Sequence, residues 1–107
     1  MPASEKRTVP ASVVPTPEAR IEQLLESAEK KDIARDFDGA IFDLTDALAL
    51  EPKGELLVRV WRGLGLAYAR THDEEKAKKY LELYLPHANT KEEKILVAEL
   101  LVRLGTE

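Results

Sequence analysis

The sequence predicts an all-α protein of about five helices. Apolar residues recur at three- and four-residue spacing in five separate stretches, which is the period of one helix face. Capping residues, glycines and prolines stand at the ends of those stretches. In the longest, Trp61, Leu64, Gly65 and Tyr68 fall on one side of a helix. A glycine between two rings lets a second helix approach closely.

Residues 1–15 hold Pro2, Pro10 and Pro15 among Ser4, Thr8 and Ser12, without apolar periodicity. Such a stretch buries too little surface to offset its ordering entropy, so an unstructured arm is expected, with Val13 and Val14 as its one apolar pair. Residues 16–107 are expected to form one helical domain. Thr16 is placed to cap the first helix, Pro17 suits its first position, and Glu18 suits the positive end of its dipole. Ile21, Leu24, Leu25 and Ala28 carry that helix to about Ala34. A turn is expected over Asp36 to Gly39. Ala40, Ile41, Leu44, Ala47, Leu48 and Leu50 then give a second helix, ended by Pro52-Lys53-Gly54.

A third helix is expected from near Glu55. Thr71 and Glu74 have capping-box spacing, which predicts a fourth helix from about Asp73 to Leu85, stopped by Pro86. Thr90 and Glu93 repeat that spacing and open a last helix over 91–104, with Gly105 as its stop.

The spacing of Trp61, Leu64, Gly65 and Tyr68, followed by Ala77 and Leu81, resembles a tetratricopeptide (TPR) repeat, a helix pair of about 34 residues. Earlier in the chain Leu24 takes the tryptophan place and Ala28 the small-residue place. Phe37, Ala40, Leu44, Ala47 and Pro52 match the second half of the pattern, whereas Ser27 and Lys31 depart from it. Tyr84 and Asn89 depart from it in the later repeat. Ala98, Leu101, Leu104 and Gly105 match the later part of a first helix. The resemblance implies a helix-hairpin solenoid, a TPR-like superhelix of two and a half repeats, at about 21–54, about 58–91 and a single helix 91–104. Ala40 and Ala77 are 37 residues apart, so extra residues are expected around Lys53–Leu57.

The resemblance further implies a non-catalytic adaptor or scaffold that binds a peptide or helix of another protein on its concave side. The first helix of each pair lines that side. There stand Glu22, Leu25, Glu29 and Asp32, then Arg59, Arg62, Leu66 and Arg70, with Glu92 and Glu99 beyond. An arginine strip thus lies between two acidic ones. Guanidinium groups hold carboxylates through paired hydrogen bonds, so an acidic peptide is one expected ligand. The competing expectation is that Glu22, Glu29 and Glu92 or Glu99 already pair with the arginines. TPRs that clamp the C-terminal carboxylate of chaperones use Lys and Asn at places held here by Leu25, Glu29, Arg62 and Leu66, so that ligand is not expected.

Two other functions fit the same pattern: a small TPR chaperone of a bacterial secretion subunit, and a structural unit that homodimerises through its last helix. In that helix Leu96, Val97, Leu100, Leu101 and Leu104 form the expected interface, because only the stripe through Glu92, Glu99 and Arg103 is polar.

Composition limits the alternatives. A net charge of −4 argues against nucleic acid, and the lack of cysteine leaves no disulfide or thiolate metal site. No apolar run approaches the ~18 residues that span a bilayer, so no membrane insertion is expected. Lys6 and Arg7 have no apolar stretch behind them, and a chain read from its native start is expected in the cytoplasm. Neither catalysis nor a cofactor is expected. Ser4 and Ser12 lie in the arm, Ser27 has no histidine near it in sequence, and His72 and His87 lack ligand spacing.

Overall fold

Side chains set the helix boundaries of the computed structural model, which describes residues 16–105. Thr16 accepts a hydrogen bond from the Ala19 N–H at 3.1 Å and opens α1 (Pro17–Ile33). Asp36 accepts from the Gly39 N–H at 3.0 Å and opens α2 (Phe37–Ala49). The expected turn over 36–39 is therefore one residue of cap followed by helix. α3 (Gly54–Arg70) follows a short linker without a side-chain cap. Asp73 accepts from the Lys76 N–H and opens α4 (Glu74–Tyr84), which ends in a 3₁₀ turn at Leu85–His87. Thr71 is thus not the cap of α4. Its hydroxyl turns back and donates to the Tyr68 carbonyl at 3.2 Å. Thr90 does cap α5 (Lys91–Gly105), accepting from the Glu93 N–H at 3.1 Å. The expected arm, with Val13 and Val14, lies outside the described residues.

Short turns fold α1 onto α2 and α3 onto α4. Both use one solution: Arg35 and His72 take left-handed backbone (φ 67° and 65°), and the following aspartate N–H reaches back five residues, Asp36 to Lys31 and Asp73 to Tyr68. Each aspartate then caps the next helix. α1, α3 and α5 start at residues 17, 54 and 91, and α2 and α4 at 37 and 74, so each start recurs after 37 residues. The extra length is not an insertion near Lys53–Leu57; it belongs to both intervals.

The regular elements among the described residues are all helices, with no strand. No helix among them is long and apolar enough to cross a membrane. Two cores hold them together. The first joins Ile21, Leu24, Leu25 and Ala28 of α1, Ala40, Leu44 and Ala47 of α2, and Val60 and Leu64 of α3. The second joins Leu81, Tyr84, Ala88 and Val97, with Trp61 and Leu66 packed against it. Trp61 and Tyr68 therefore part company. Trp61 joins the second core and sits 5.9 Å from the His87 ring, while Tyr68 stacks on Tyr80 beside the first.

Gly65 lies where α3 and α4 touch. A Cβ there would come within 2.6 Å of Leu81 Cδ2 and 3.1 Å of the Leu81 backbone nitrogen. Gly63 similarly admits Leu44, whose Cδ1 would lie 2.8 Å from an added Cβ. Residues 23, 26 and 30 of α1 correspond by the 37-residue interval to Val60, Gly63 and Ala67 of α3. They are Gln23, Glu26 and Lys30, all exposed, with Glu26 and Lys30 3.9 Å apart.

α5 turns Val97 into the second core at 2% exposure, and Leu100, Leu101 and Leu104 pack beside it. Of the residues expected at an interface, Leu96 is exposed, Leu100, Leu101 and Leu104 are half-buried, and Val97 is buried. Val97 is unavailable to a partner, and the open apolar edge is Ile95, Leu96 and Val102 (51, 62 and 65% exposed).

Candidate functional site: a groove between α1 and α3

α1 and α3 flank a groove of about 300 Å³. Its floor is apolar: Leu25 and Ala28 from α1, Leu44 from α2, and Gly63, Leu66 and Ala67 from α3. Gly63 leaves room for Leu44 to reach that floor. Glu29 and Asp32 stand on the α1 bank; Arg59, Arg62 and Arg70 stand on the α3 bank.

Two ion pairs reach between the banks, Arg59 to Glu29 at 3.8 Å and Arg70 to Asp32 at 2.7 Å. Arg62 turns the other way and binds Glu93 of α5. The arginine strip is thus fully paired: Glu29 is a partner as expected, whereas Asp32 and Glu93 stand where Glu22 and Glu92 or Glu99 were expected. Glu22 is exposed and does not line the groove, and neither Glu92 nor Glu99 supplies the α5 partner.

Glu93 also meets the Tyr84 hydroxyl, so one carboxylate ties α3, α4 and α5 together. The hydrogen bond from Arg62 holds Glu93 below its usual pKa, against the effect of burial. Burial works to lower the Arg62 pKa, but the bond to Glu93, its charge and Tyr84 together outweigh it and the value rises. Burial, and then the bond to Glu93, push the Tyr84 phenol upward. The role of Glu93 in capping spacing hid this one. Its place one turn before buried Val97 was the available signal.

At the far end the groove meets a second recess lined by Asp32, Ile33, Arg35, Phe37 and Arg70. The Arg70 guanidinium carbon lies 5.3 Å from the Phe37 ring centroid, and that of Arg35 lies 5.8 Å from it. Arg35 belongs to the turn and Phe37 is the first residue of α2, where helical period says little about direction.

A separate polar group joins α1 to α2. The Ser27 hydroxyl donates to Asp43 at 2.6 Å, and Lys31 Nζ lies 2.9 Å from the same oxygen. Burial would raise the Asp43 pKa, but the Ser27 and Lys31 bonds outweigh it and hold it below the usual value. A carboxylate stabilised this way is a poor base, so the trio pins helices rather than activating Ser27. Among the described residues no group of three or more His, Asp or Glu side chains is placed to hold a metal ion.

The groove offers an apolar floor, a basic bank and an acidic bank, and no nucleophile with an orienting partner. No family model, curated protein or solved structure matches the chain.

Proposed function

We propose that this protein is a non-catalytic protein-interaction module of TPR-like, helix-hairpin architecture, which binds a peptide segment of a partner in the α1–α3 groove. The observation that carries the reading is the groove itself, an apolar floor with ionic banks between successive first helices. Successive repeat units commonly build their binding surface this way. The recurring 37-residue interval and the close approach at Gly65 support the repeat architecture.

The test is affinity capture with the intact chain and with the Arg59→Glu/Arg70→Glu variant, read by mass spectrometry. The reading expects one discrete partner, lost in the variant while its helicity is unchanged. A partner retained equally by both would move the binding surface elsewhere.

A second reading is favoured by Ile95, Leu96 and Val102, which leave an apolar edge on α5. Contact between two copies through that edge would make the chain a structural homodimer.

A further inference from the structure

Taking the groove as a peptide site, we propose that Asp32 is an internal stand-in for a ligand carboxylate. An extended acidic–aliphatic segment of a partner protein would lie along the floor, and its acidic side chain would displace Asp32 from Arg70, beside Arg35.

The charges at this end of the groove favour an anion. Arg70 and Arg35 share the Phe37 ring, but the only ion pair among them is that of Arg70 with Asp32. Arg35 has no acidic partner among the described residues. Arg70 is held twice, by the ring and by Asp32, so losing Asp32 leaves its guanidinium aimed at the same place. Asp32 has no such second hold, and its side chain is 39% exposed. It can swing into water. Exchanging one half-exposed carboxylate for another changes the energy little. The burial of aliphatic side chains on the floor then supplies the net attraction.

Arg59 and Arg70 are eleven residues apart on one helix, or ~16 Å at 1.5 Å per residue. An extended strand of about five residues spans that length and places alternate side chains on the apolar floor.

The probes are two short acetylated and amidated peptides that alternate leucine with serine, one ending in glutamate and the other in glutamine. Calorimetry compares them on the unmodified protein, Asp32→Asn and Arg70→Ala, with thermal melting as a check of folding. The glutamate peptide is expected to bind more tightly than the glutamine peptide. Asp32→Asn should tighten the glutamate peptide by up to about fivefold, the range for losing a half-exposed internal competitor, and leave the glutamine peptide unchanged. Arg70→Ala should abolish the distinction. On the unmodified protein, the glutamate peptide alone should shift the Nε–Hε resonances of Arg70 and Arg35. If both peptides bind alike and Asp32→Asn changes neither, the stand-in is overturned while the groove remains a peptide site. If neither peptide binds any of the three proteins, the groove reading falls, and the stand-in with it.

Discussion

Lys31 lies 2.9 Å from Asp43, at the positions where, 37 residues later, Tyr68 stacks on Tyr80 with ring centroids 6.0 Å apart. Ser27 completes the polar set where the later unit has Leu64. Two units of equal length thus close the same helix crossing with different chemistry. The departures of Ser27 and Lys31 from the repeat pattern are one linked change, completed by Asp43 across the turn.

Exchanging the whole set should therefore be tolerated where exchanging one member is not. Asp43→Ala is expected to cost ~1–3 kcal/mol, because Ser27 and Lys31 lose their shared acceptor. The triple change Ser27→Leu, Lys31→Tyr and Asp43→Tyr should recover much of that, since apolar packing commonly replaces a buried ion pair without loss. Denaturant titration of the three proteins decides it. A triple variant less stable than Asp43→Ala would mean that the two crossings differ in backbone spacing.

The crossing at Gly65 should resist even one methyl group. Alanine favours helix over glycine by ~1 kcal/mol, so Gly65→Ala would stabilise an open position. Here its Cβ meets the side chain and backbone of fully buried Leu81, and overpacking of ~1–3 kcal/mol should win. Thermal melting gives the sign directly, and a raised midpoint would contradict the contact.

Acid should weaken the fold through Asp43 and Glu93. Both have folded pKa values below their ordinary ones, so each contributes stability above the unfolded values, about 4. That contribution is lost as pH falls through the folded values. Denaturation midpoints measured from pH 7 down to pH 2 should drop below about pH 4. Asp43→Asn and Glu93→Gln should each lower the midpoint at pH 7 and flatten the acid limb. A variant as steep as the parent would exclude its carboxylate from the linkage.

On α5 two neighbouring apolar residues should behave oppositely. Val97→Glu puts a charge into the second core and should unfold the α5 end. Leu96→Glu, on an exposed site, should leave the melt within about 0.5 kcal/mol of the parent. Light scattering across a dilution series completes the test. If the parent dimerises through this edge, Leu96→Glu should return it to a monomer. A parent that stays monomeric at every concentration removes the homodimer reading.

The helices were legible because their start signals are local. Thr16, Pro17 and Thr90 act on the backbone within a turn, so spacing alone locates them. Thr71 misled because Asp73, two residues on, is an equally good cap. The acceptor that wins depends on the left-handed turn at His72, which residue types do not announce. In the groove, Leu25, Glu29, Arg59, Arg62, Leu66 and Arg70 share faces set by helical period, and the structure brings them together. Glu29 was legible as a partner on the facing side of α1, but that Glu93 rather than Glu92 or Glu99 meets Arg62 was not, because it depends on the rotation of α5 against α3. That rotation follows the wide apolar surface of α5, which admits more than one packing.

Gln23, Glu26 and Lys30 at the outer edge of α1 bear on what the chain can become in a crowded cell. A head-to-tail contact between copies needs two faces that suit each other. Among the described residues α5 offers Ile95, Leu96 and Val102, whereas the α1 face through Gln23, Glu26 and Lys30 offers polar groups and a wet salt pair. The two faces are poorly matched, while α5 against a second α5 would bring apolar side chains together. A pairing of like faces closes on two copies and leaves none of that surface for a third.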